Sequence, residues 1–347
     1  MRRKGDLMTQ SRKESVAVLV PVYRGDARLR KCLGALSRQG TGGKLRYSVF
    51  ALLDRDADEP ALRTCGSFRR VKAIRTGKTN VQGLRNYGLG LLAGKKFRFL
   101  AFIDPDCLPE RDWLARIAGA LPEGFSAVGG SDPFEKYPGA VNSFARADWE
   151  IRLGKRGETF WLDTNNLLIR TEDFSGIGGF DELSGTGTDT EISMKLRNAG
   201  KRMWYEPGLR VRHMKDYSLG NLLSEAFKYG KSHGEIFLSG EGFSKTSISH
   251  PGAGYLAQPV LLSAAAVLLP FSLFLSAAVL SLLVALLAAR SLEARGISKP
   301  VFFLISFARA ISWTAGGFAG LVSFPFRRFR RFRRFRRFRR QGARTPQ

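Results

Sequence analysis

The sequence predicts an α/β fold in which a mixed, mainly parallel sheet carries helices on both faces and C-terminal transmembrane helices follow. Apolar β-type segments alternate with segments of helical periodicity between residues 16 and 131. The apolar segments are continuous rather than alternating, which indicates a sheet covered on both faces. The alternation of strands and helices favours parallel pairing.

The predicted elements follow in order along the chain. Strands are expected at 16–22, 47–53, 71–75, 97–104 and 127–130, and helices at 27–37, 81–93 and 110–121. Residues 131–213 are richer in glycine and polar residues, and we expect them to form the wall of a cleft with fewer regular elements. The elements expected there are a short helix at 190–199, ended by Gly200, and strand-like pieces at 202–205 and 209–212. Ligands of such sheets bind beyond the carboxyl ends of the strands, where Pro21, Asp54 and Asp104 fall.

Composition divides the chain into six regions. These are a basic N-terminal tail (1–15), the α/β domain (16–235), a linker (236–251), a transmembrane hairpin of two short spans (252–289), a third apolar segment (301–326) and an arginine- and phenylalanine-rich tail of low complexity (327–347). The hairpin segment carries no charged side chain, and Pro270 near its middle predicts the turn. Arg309 interrupts the third segment, which favours an interfacial or re-entrant position in the membrane.

The charge of the chain is concentrated at its end. The formal net charge is +26, and residues 327–340 supply ten arginines and no acid. Such a tail is either a self-repelling, disordered segment of low complexity or, beside a membrane segment, one that binds anionic lipid, and nucleic acid is the less favoured partner. No apolar segment of signal-peptide length follows the basic start, so we expect the α/β domain to stay on the cytoplasmic side of the inner (plasma) membrane. The three cysteines form no CxxC pair, which argues against a disulfide framework or a zinc knuckle.

Asp104, Pro105 and Asp106 are the most informative triplet. Side chains two positions apart in an extended segment point to the same side, so both carboxylates are aimed at one place. A hard divalent cation with a bound diphosphate would offset their repulsion. The alternative is an ordinary turn, since Asp and Pro are common turn residues.

Other candidate residues each have a structural alternative. Asp189 follows Thr188 at a predicted helix start, where Thr-x-x-Glu forms a capping box and where a carboxylate can also serve as a general base. His213 ends a strand-like segment and is either a structural histidine or a metal ligand. Asp54 is a loop acid or a hydrogen-bond acceptor for a base or ribose. Arg85 packs within a helix or faces a diphosphate.

Taken in order, these residues resemble the family 2 glycosyltransferases. The motifs that carry the resemblance are residues 16–23, Asp54, the Gly83-Leu84-Arg85-Asn86 run, residues 102–106, residues 166–170, the turn at 178–182, residues 188–191 and His213. They cover about two thirds of the chain. The usual Glu-Asp pair of the family is Thr188-Asp189 here, and the Gln-x-x-Arg-Trp motif of processive members is not found.

The resemblance implies a GT-A nucleotide-diphospho-sugar transferase fold and a metal-dependent, inverting, non-processive transfer from a nucleotide-sugar. The roles that it implies are donor binding for Pro21, Val22, Tyr23, Asp54, Arg85 and Asp104, metal binding for Asp106 and His213, catalysis by Asp189 as the base, and acceptor-side positions for Asn166 and Asp181. The implied cofactor is Mn²⁺ or Mg²⁺. The C-terminal segments add a membrane lipid as partner and a lipid-linked or membrane-proximal acceptor.

One alternative function comes from a different class. A non-catalytic membrane or nucleic-acid adaptor could keep this fold and bind through the arginine-rich tail. The leading expectation is a membrane-anchored glycosyltransferase that acts on an acceptor hydroxyl at the cytosolic membrane face. The donor sugar and the acceptor are not encoded in any motif.

Overall fold

A computed structural model describes residues 14–43, 45–92, 97–152, 154–182, 188–238 and 253–342, and the side chains of 14, 236–237, 253–256 and 324–342 lie outside the description. The strands are β1 (Glu14–Val22), β2 (Leu45–Leu53), β3 (Val71–Arg75), β4 (Phe99–Ile103), β5 (Cys107–Pro109), β6 (Ala127–Ser131), β7 (Gly157–Thr159), β8 (Asn166–Arg170) and β9 (Met203–His213). The helices are α1 (Ala27–Ser37), α2 (Glu59–Gly66), α3 (Val81–Leu91), α4 (Trp113–Gly119), α5 (Ala140–Arg152), α6 (Thr171–Gly176), α7 (Thr188–Asn198), α8 (Leu219–Leu238), α9 (Ala253–Leu268), α10 (Leu273–Glu293) and α11 (Lys299–Gly342).

The strands form one mixed sheet, which confirms the predicted fold class. Its order is β3-β2-β1-β4-β8-β6-β9-β5, and β7 pairs with β9. The pairs β3/β2, β2/β1, β1/β4 and β6/β9 are parallel, whereas β8 runs antiparallel to both β4 and β6. Strands β6 and β9 therefore run in the same direction as β1 and β4, and all of them end at one edge of the sheet.

Two apolar layers cover the faces of the sheet. Alternate residues of β1 point to opposite sides, so Val18 and Val20 pack against α1, α2 and α4, whereas Ala17 and Leu19 pack against α3, α6 and α7. Both layers are fully buried along β1. The predicted helices on both faces are confirmed by this arrangement.

Residues 131–213 hold more regular structure than expected. They contain α5, and β8 from this stretch lies in the middle of the sheet. The two predicted strand pieces at 202–205 and 209–212 belong to a single strand, β9. A further helix, α2, was not expected, although the Asp58 carboxylate caps its N-terminus by accepting a hydrogen bond from Ala61 N.

The C-terminal segments are helical. Pro270 lies in the turn between α9 and α10, and α11 starts at Lys299. Within the described part of the chain, α10 and residues Lys299–Ser323 are long and apolar enough to cross a membrane, and α9 is shorter. Phe271 and Phe274 are more than four-fifths exposed at the start of α10. The hairpin with an interfacial third segment stays a prediction.

Helices α8 and α11 approach each other closely through glycine. A Cβ atom added at Gly230 would lie 1.9 Å from the carbonyl oxygen of Trp313, and one added at Gly316 would lie 2.0 Å from that of Phe227. Two pairs of glycines have a spacing of four residues, Gly230 with Gly234 and Gly316 with Gly320. Each pair therefore lies on one face of its helix. Only the missing Cβ atoms allow this contact.

The close packing of α8 and α11 predicts that replacing glycine by alanine changes stability differently at two positions of α8. Gly230→Ala should lower the free energy of unfolding by about 1 to 3 kcal/mol, because its methyl group overlaps the α11 backbone. Gly220→Ala is the matched control, since its nearest contact would be Ser218 Oγ at 4.0 Å. The control should be neutral or stabilising because Ala favours the helix. Thermal unfolding of the full chain in detergent measures both, and equal melting temperatures would contradict the close contact.

Candidate active site

A cavity of about 450 Å³ opens at the edge of the sheet where the parallel strands end. Five of the predicted site residues line it: Arg85, Asp104, Asp106, Asp189 and His213. Each of the three residues Asp104, Asp132 and His213 stands at or next to the carboxyl end of a strand, β4, β6 and β9 respectively. The parallel direction of these strands therefore brings together residues that are distant in sequence.

Arg85 connects two parts of the site. Its Nη2 donates to Asp104 Oδ1 at 2.7 Å, and its Nη1 donates to Thr164 Oγ1 at 2.8 Å. The side chain is 1% exposed and packs against the rings of Phe102 and Phe180. A buried guanidinium needs such partners, so its position and the positions of both partners are fixed together.

The chain of hydrogen bonds continues to Asp189. Thr164 donates from its hydroxyl to Asp189 Oδ1 at 2.5 Å and from its backbone N–H to the same oxygen at 2.9 Å. Asp104, Arg85, Thr164 and Asp189 thus form one continuous relay across the cavity. Both bonds from Thr164 go to the same oxygen of Asp189, Oδ1.

The two aspartates of the triplet have different surroundings. Burial raises the pKa of Asp104, and the nearby Asp106 carboxylate raises it further against the opposing effect of Arg85. Burial also acts to raise the pKa of Asp106, but the interaction with His213 outweighs it and lowers the pKa. The triplet is therefore split, with Asp104 facing Arg85 and Asp106 facing the histidine.

His213 lies between two carboxylates. Its Nε2 is 3.5 Å from Asp106 Oδ2, and its Nδ1 is 3.4 Å from Asp132 Oδ2. Burial acts to lower its pKa, but the two carboxylates outweigh burial and raise the pKa to about 10. A carboxylate on one ring nitrogen orients the other nitrogen, which is the arrangement that metal-ligating histidines use.

The residues fit a divalent cation. Asp106, Cys107 and His213 place their ligand atoms within 4.8 Å of one another. Burial raises the pKa of the Cys107 thiol, which disfavours the thiolate and leaves the carboxylate and the imidazole as ligands. An oxygen and a nitrogen donor, with diphosphate oxygens completing the shell, suit Mn²⁺ or Mg²⁺.

Two acidic residues of the site were missed by the sequence analysis. Asp132 accepts hydrogen bonds from Trp149 Nε1 at 3.0 Å and from Asn165 Nδ2 at 2.8 Å. Its position just after β6 was a usable signal, because the strand at 127–130 was predicted. Asp163 lies in an irregular segment, and burial together with the charges of Asp132 and Asp189 raises its pKa. No local pattern marks Asp163.

The predicted donor-binding residues lie at neighbouring strand ends. Pro21 and Val22 end β1, and the backbone of Asp54 donates to Val22 O at 2.8 Å. Asp54 is buried, and its Oδ1 accepts a bond from Asp56 N. Burial raises the pKa of Tyr23, with Asp104 and Asp54 adding to this effect. None of these four residues is among those that line the cavity, and Tyr23 is the one whose charge interactions reach Asp104 and Arg85.

The two predicted acceptor-side residues lie differently. Asn166 is fully buried, donates to Ser131 O and Leu209 O, and accepts from Trp113 Nε1, so it connects strands. Its neighbour Asn165 lines the cavity. The backbone of Asp181 donates to Glu191 Oε1 at 2.6 Å, which ties the turn at 178–182 to α7.

The motif around Arg85 is also tied to this turn. Asn86 donates from its side-chain amide to Phe180 O at 2.8 Å and accepts from Phe180 N at 2.9 Å. Gly179 has a φ of +64°, and a Cβ atom there would lie 2.5 Å from Asn86 Oδ1, so this turn requires glycine. These contacts hold the Phe180 ring against Arg85.

The comparisons with known proteins agree with this fold. The model of the glycosyltransferase-like family 2 matches residues 13–229. The pre-mycofactocin glycosyltransferases of two Mycobacterium tuberculosis strains, CDC 1551 and H37Rv, are 28% identical over 157 residues, which are 43% of this chain and 33% of theirs. The chain thus matches only about a third of the length of these relatives.

Two further similar proteins are matched over more of their length. Glycosyltransferase AglE of Haloferax volcanii is 26% identical over 234 residues, 64% of this chain and 74% of that protein. The solved structure of mannosyltransferase PcManGT from Pyrobaculum calidifontis, in complex with GDP-Man and Mn²⁺, superposes with a TM-score of 0.59 at 18% identity. It covers 88% of this chain and 86% of that chain, and it shows that the fold is shared. Since the family model spans more than half of its residues, the chain belongs to the glycosyltransferase-like family 2.

Proposed function

We propose that this chain is a membrane-anchored, non-processive, inverting glycosyltransferase that moves a sugar from a nucleotide-sugar to an acceptor hydroxyl. The observation that carries the proposal is the relay from Asp104 through Arg85 and Thr164 to Asp189. It joins the carboxylate beside the donor pocket to a carboxylate suited to serve as base. The structure of PcManGT was solved in complex with GDP-Man and Mn²⁺, which supports the same class of donor and cation.

The reaction is a single displacement. The acceptor hydroxyl gives its proton to Asp189 Oδ2 while its oxygen forms a bond to the anomeric carbon of the sugar. The bond from that carbon to the diphosphate breaks on the opposite face, and its electron pair leaves with the nucleoside diphosphate. One displacement inverts the anomeric configuration.

The remaining residues position the donor. Tyr23 and Asp54 would hold the nucleoside, and Arg85 keeps Asp104 oriented toward it. Asp106 and His213 would hold the divalent cation, which when bound neutralises charge on the departing diphosphate. Asp132 keeps the His213 ring in place through Nδ1.

The proposed location is the cytosolic face of a membrane. Arg290, near the C-terminal end of α10, bonds Asp148 of the α/β domain, so this end of the helix lies at the domain. Arg295 and Lys299 follow it closely in sequence. The excess of basic residues at this end supports a cytosolic domain by the positive-inside bias.

Replacing the proposed base should remove transfer while donor binding persists. Asp189→Asn is expected to lower the rate about 10²- to 10⁴-fold, because the amide cannot take the acceptor proton. Product formation with a panel of nucleotide-sugars and Mn²⁺ measures the rate, and donor binding is measured separately by thermal shift. Asp56→Asn, in an exposed loop, is the control. Full activity of the Asp189 variant would exclude this residue as the base.

Thr164 provides a test of the relay. Thr164→Val keeps the shape of the side chain but removes the hydroxyl bonds to Arg85 and Asp189, and kcat should fall about tenfold. Thr164→Ser keeps the hydroxyl and should retain kcat. The KM for the donor should change little in both variants, since Thr164 acts by positioning Asp189. A Val variant as active as the Ser variant would refute the relay.

The cation site predicts that transfer depends on a divalent metal and that variants of the ligands need more of it. Chelation should abolish transfer and added Mn²⁺ should restore it. His213→Ala and Asp106→Asn should raise the Mn²⁺ concentration needed for half-maximal activity at least tenfold, because each removes one ligand. His233→Ala, a histidine of α8, should leave this concentration unchanged. Equal Mn²⁺ requirements in all four proteins would place the cation elsewhere.

A further inference from the structure

Helix α11 distributes its polar and apolar side chains in the reverse of the way a surface helix of a water-soluble protein does. Within residues 301–323, the exposed residues are Leu304, Ile311, Ala315, Phe318 and Val322, and all of them are apolar. Their spacing of seven, four, three and four residues places them on one face of the helix. We call this face the α11 stripe.

The opposite side of α11 carries the polar side chains of the same stretch. Ser306 and Arg309 are buried, and Ser312 donates from its hydroxyl to Leu223 O of α8 at 2.8 Å. Arg309 and Trp313 line the cavity of the candidate active site, so this side of the helix belongs to the α/β domain. A helix that buries its polar residues in protein and exposes only apolar ones is suited to lipid on its outer side.

The contact with α8 restricts how α11 can lie relative to a membrane. The two helices run in the same direction, since Ser312 bonds Leu223 O and, further along both helices, Ser323 Oγ bonds Glu235 Oε1 at 3.3 Å. Over this length α8 carries the charged residues Glu225, Lys228, Lys231 and Glu235. If α11 crossed a bilayer here, these residues would enter the hydrocarbon core beside it, which is costly. The contact therefore favours an α11 that lies in the plane of the membrane surface.

We propose that the α11 stripe lies on a lipid bilayer, with its side chains inserted at the boundary between the headgroups and the acyl chains. This inference rests on the membrane attachment in the proposed function and goes beyond it by assigning the surface that faces the lipid. Interfacial helices are buried about 5 to 10 Å into this boundary. Because the opposite side of α11 lines the cavity, the stripe would hold the site close to the bilayer surface.

Two neighbouring segments favour lipid over a second protein as the partner of the stripe. Helix α10 contacts α11, and only 17% of its apolar stretch, of mean hydropathy 2.3, is buried. An apolar surface is therefore exposed on two helices that touch.

The charge of the segment after the stripe agrees with this placement. Residues 327–340 contain ten arginines and no acid, which complements anionic headgroups. A helix that lies on the membrane surface keeps these arginines on the same side as Arg295 and Lys299, as the positive-inside bias prefers. A spanning helix would carry them across the membrane.

The test measures the depth of the stripe in liposomes of phosphatidylcholine and phosphatidylglycerol that contain the full chain. The native cysteines are buried, so a single cysteine added at the surface can be labelled selectively with an environment-sensitive fluorophore. The variants that report on the stripe are Leu304→Cys, Ile311→Cys, Phe318→Cys and Val322→Cys. Lipids that carry a nitroxide quencher near the headgroup or near the end of the acyl chain then give the depth of each label.

We expect the shallow nitroxide to quench all of these labels most strongly, which places them at one depth. Leu304 and Val322 are about 27 Å apart along the helix, so a spanning α11 would instead place Ile311 and Phe318 near the bilayer centre and the other two near opposite surfaces. That graded pattern would overturn the proposal. Labels that neither nitroxide quenches would also overturn it, because the stripe would then face water or a second protein.

Two labels outside the stripe separate this inference from the proposed function. Leu282→Cys, at an exposed position of α10, should be quenched by the deep nitroxide if the hairpin lies in the membrane. Asp56→Cys, in an exposed loop of the α/β domain, is the control in water and should not be quenched. A quenched α10 label with an unquenched stripe would refute the stripe alone. No quenching at either helix would refute the membrane attachment itself.

Stability and donor hydrolysis are measured on the same variants. Thermal unfolding in detergent should match that of the unchanged protein, because the replaced side chains of the stripe are exposed. Hydrolysis of a nucleotide-sugar in the liposomes tests the transferase independently of the depth. A stripe at one shallow depth without any donor turnover would leave this inference standing and count against the transferase.

Discussion

The buried guanidinium of Arg85 is the interaction on which the arrangement of the site depends. A charge that is only 1% exposed must keep its partners, so Asp104 and Thr164 are held at fixed positions on either side of it. Thr164 in turn holds Asp189, and the Phe180 ring, fixed through Asn86, keeps the guanidinium in place. The guanidinium of Arg85 thereby connects β4, α3 and α7. The spacing between Asp104 and Asp189 follows from this one side chain rather than from the sheet alone.

The same arrangement explains how two aspartates only two positions apart acquire different properties. Asp104 is turned to Arg85 and Asp106 to His213, and their pKa values shift in opposite directions. Pro105 separates them at the end of β4, and the backbone of Asp106 accepts a bond from Met214 N just after β9. Asp106 and His213 are thus held by the contact between β5 and β9, whereas Asp104 follows β4. The two aspartates are therefore supported by different strands.

The sequence was most informative where polar candidate residues fall at the ends of predicted strands. Pro21, Asp54 and Asp104 could be singled out because each falls at the end of an apolar strand, and the parallel sheet then brought these strand ends to one edge. Asp132 also follows a strand and was overlooked. Asp163 has no such signal because it lies between regular elements. Asn166 connects strands through its side-chain amide, and its predicted acceptor-side role stays a prediction. Helix α5 was hidden in a stretch whose composition predicted irregular structure. Contacts between α5 and α11 are set by tertiary packing, which local patterns do not report.

The contact between α5 and α11 explains why a charged residue, Arg309, stands in an apolar helix. In the sequence it interrupts an apolar segment and argues against a simple membrane span, but in the fold it is 5% exposed and bonds Asp148. The charge is therefore satisfied by the α/β domain, so it is no obstacle to an apolar surface elsewhere on the same helix. Because glycines let α11 lie against α8, the helix reaches far enough into the domain to place Arg309 on the cavity wall. The part of the cavity wall that Arg309 and Trp313 form consequently exists only when α11 is packed on the domain.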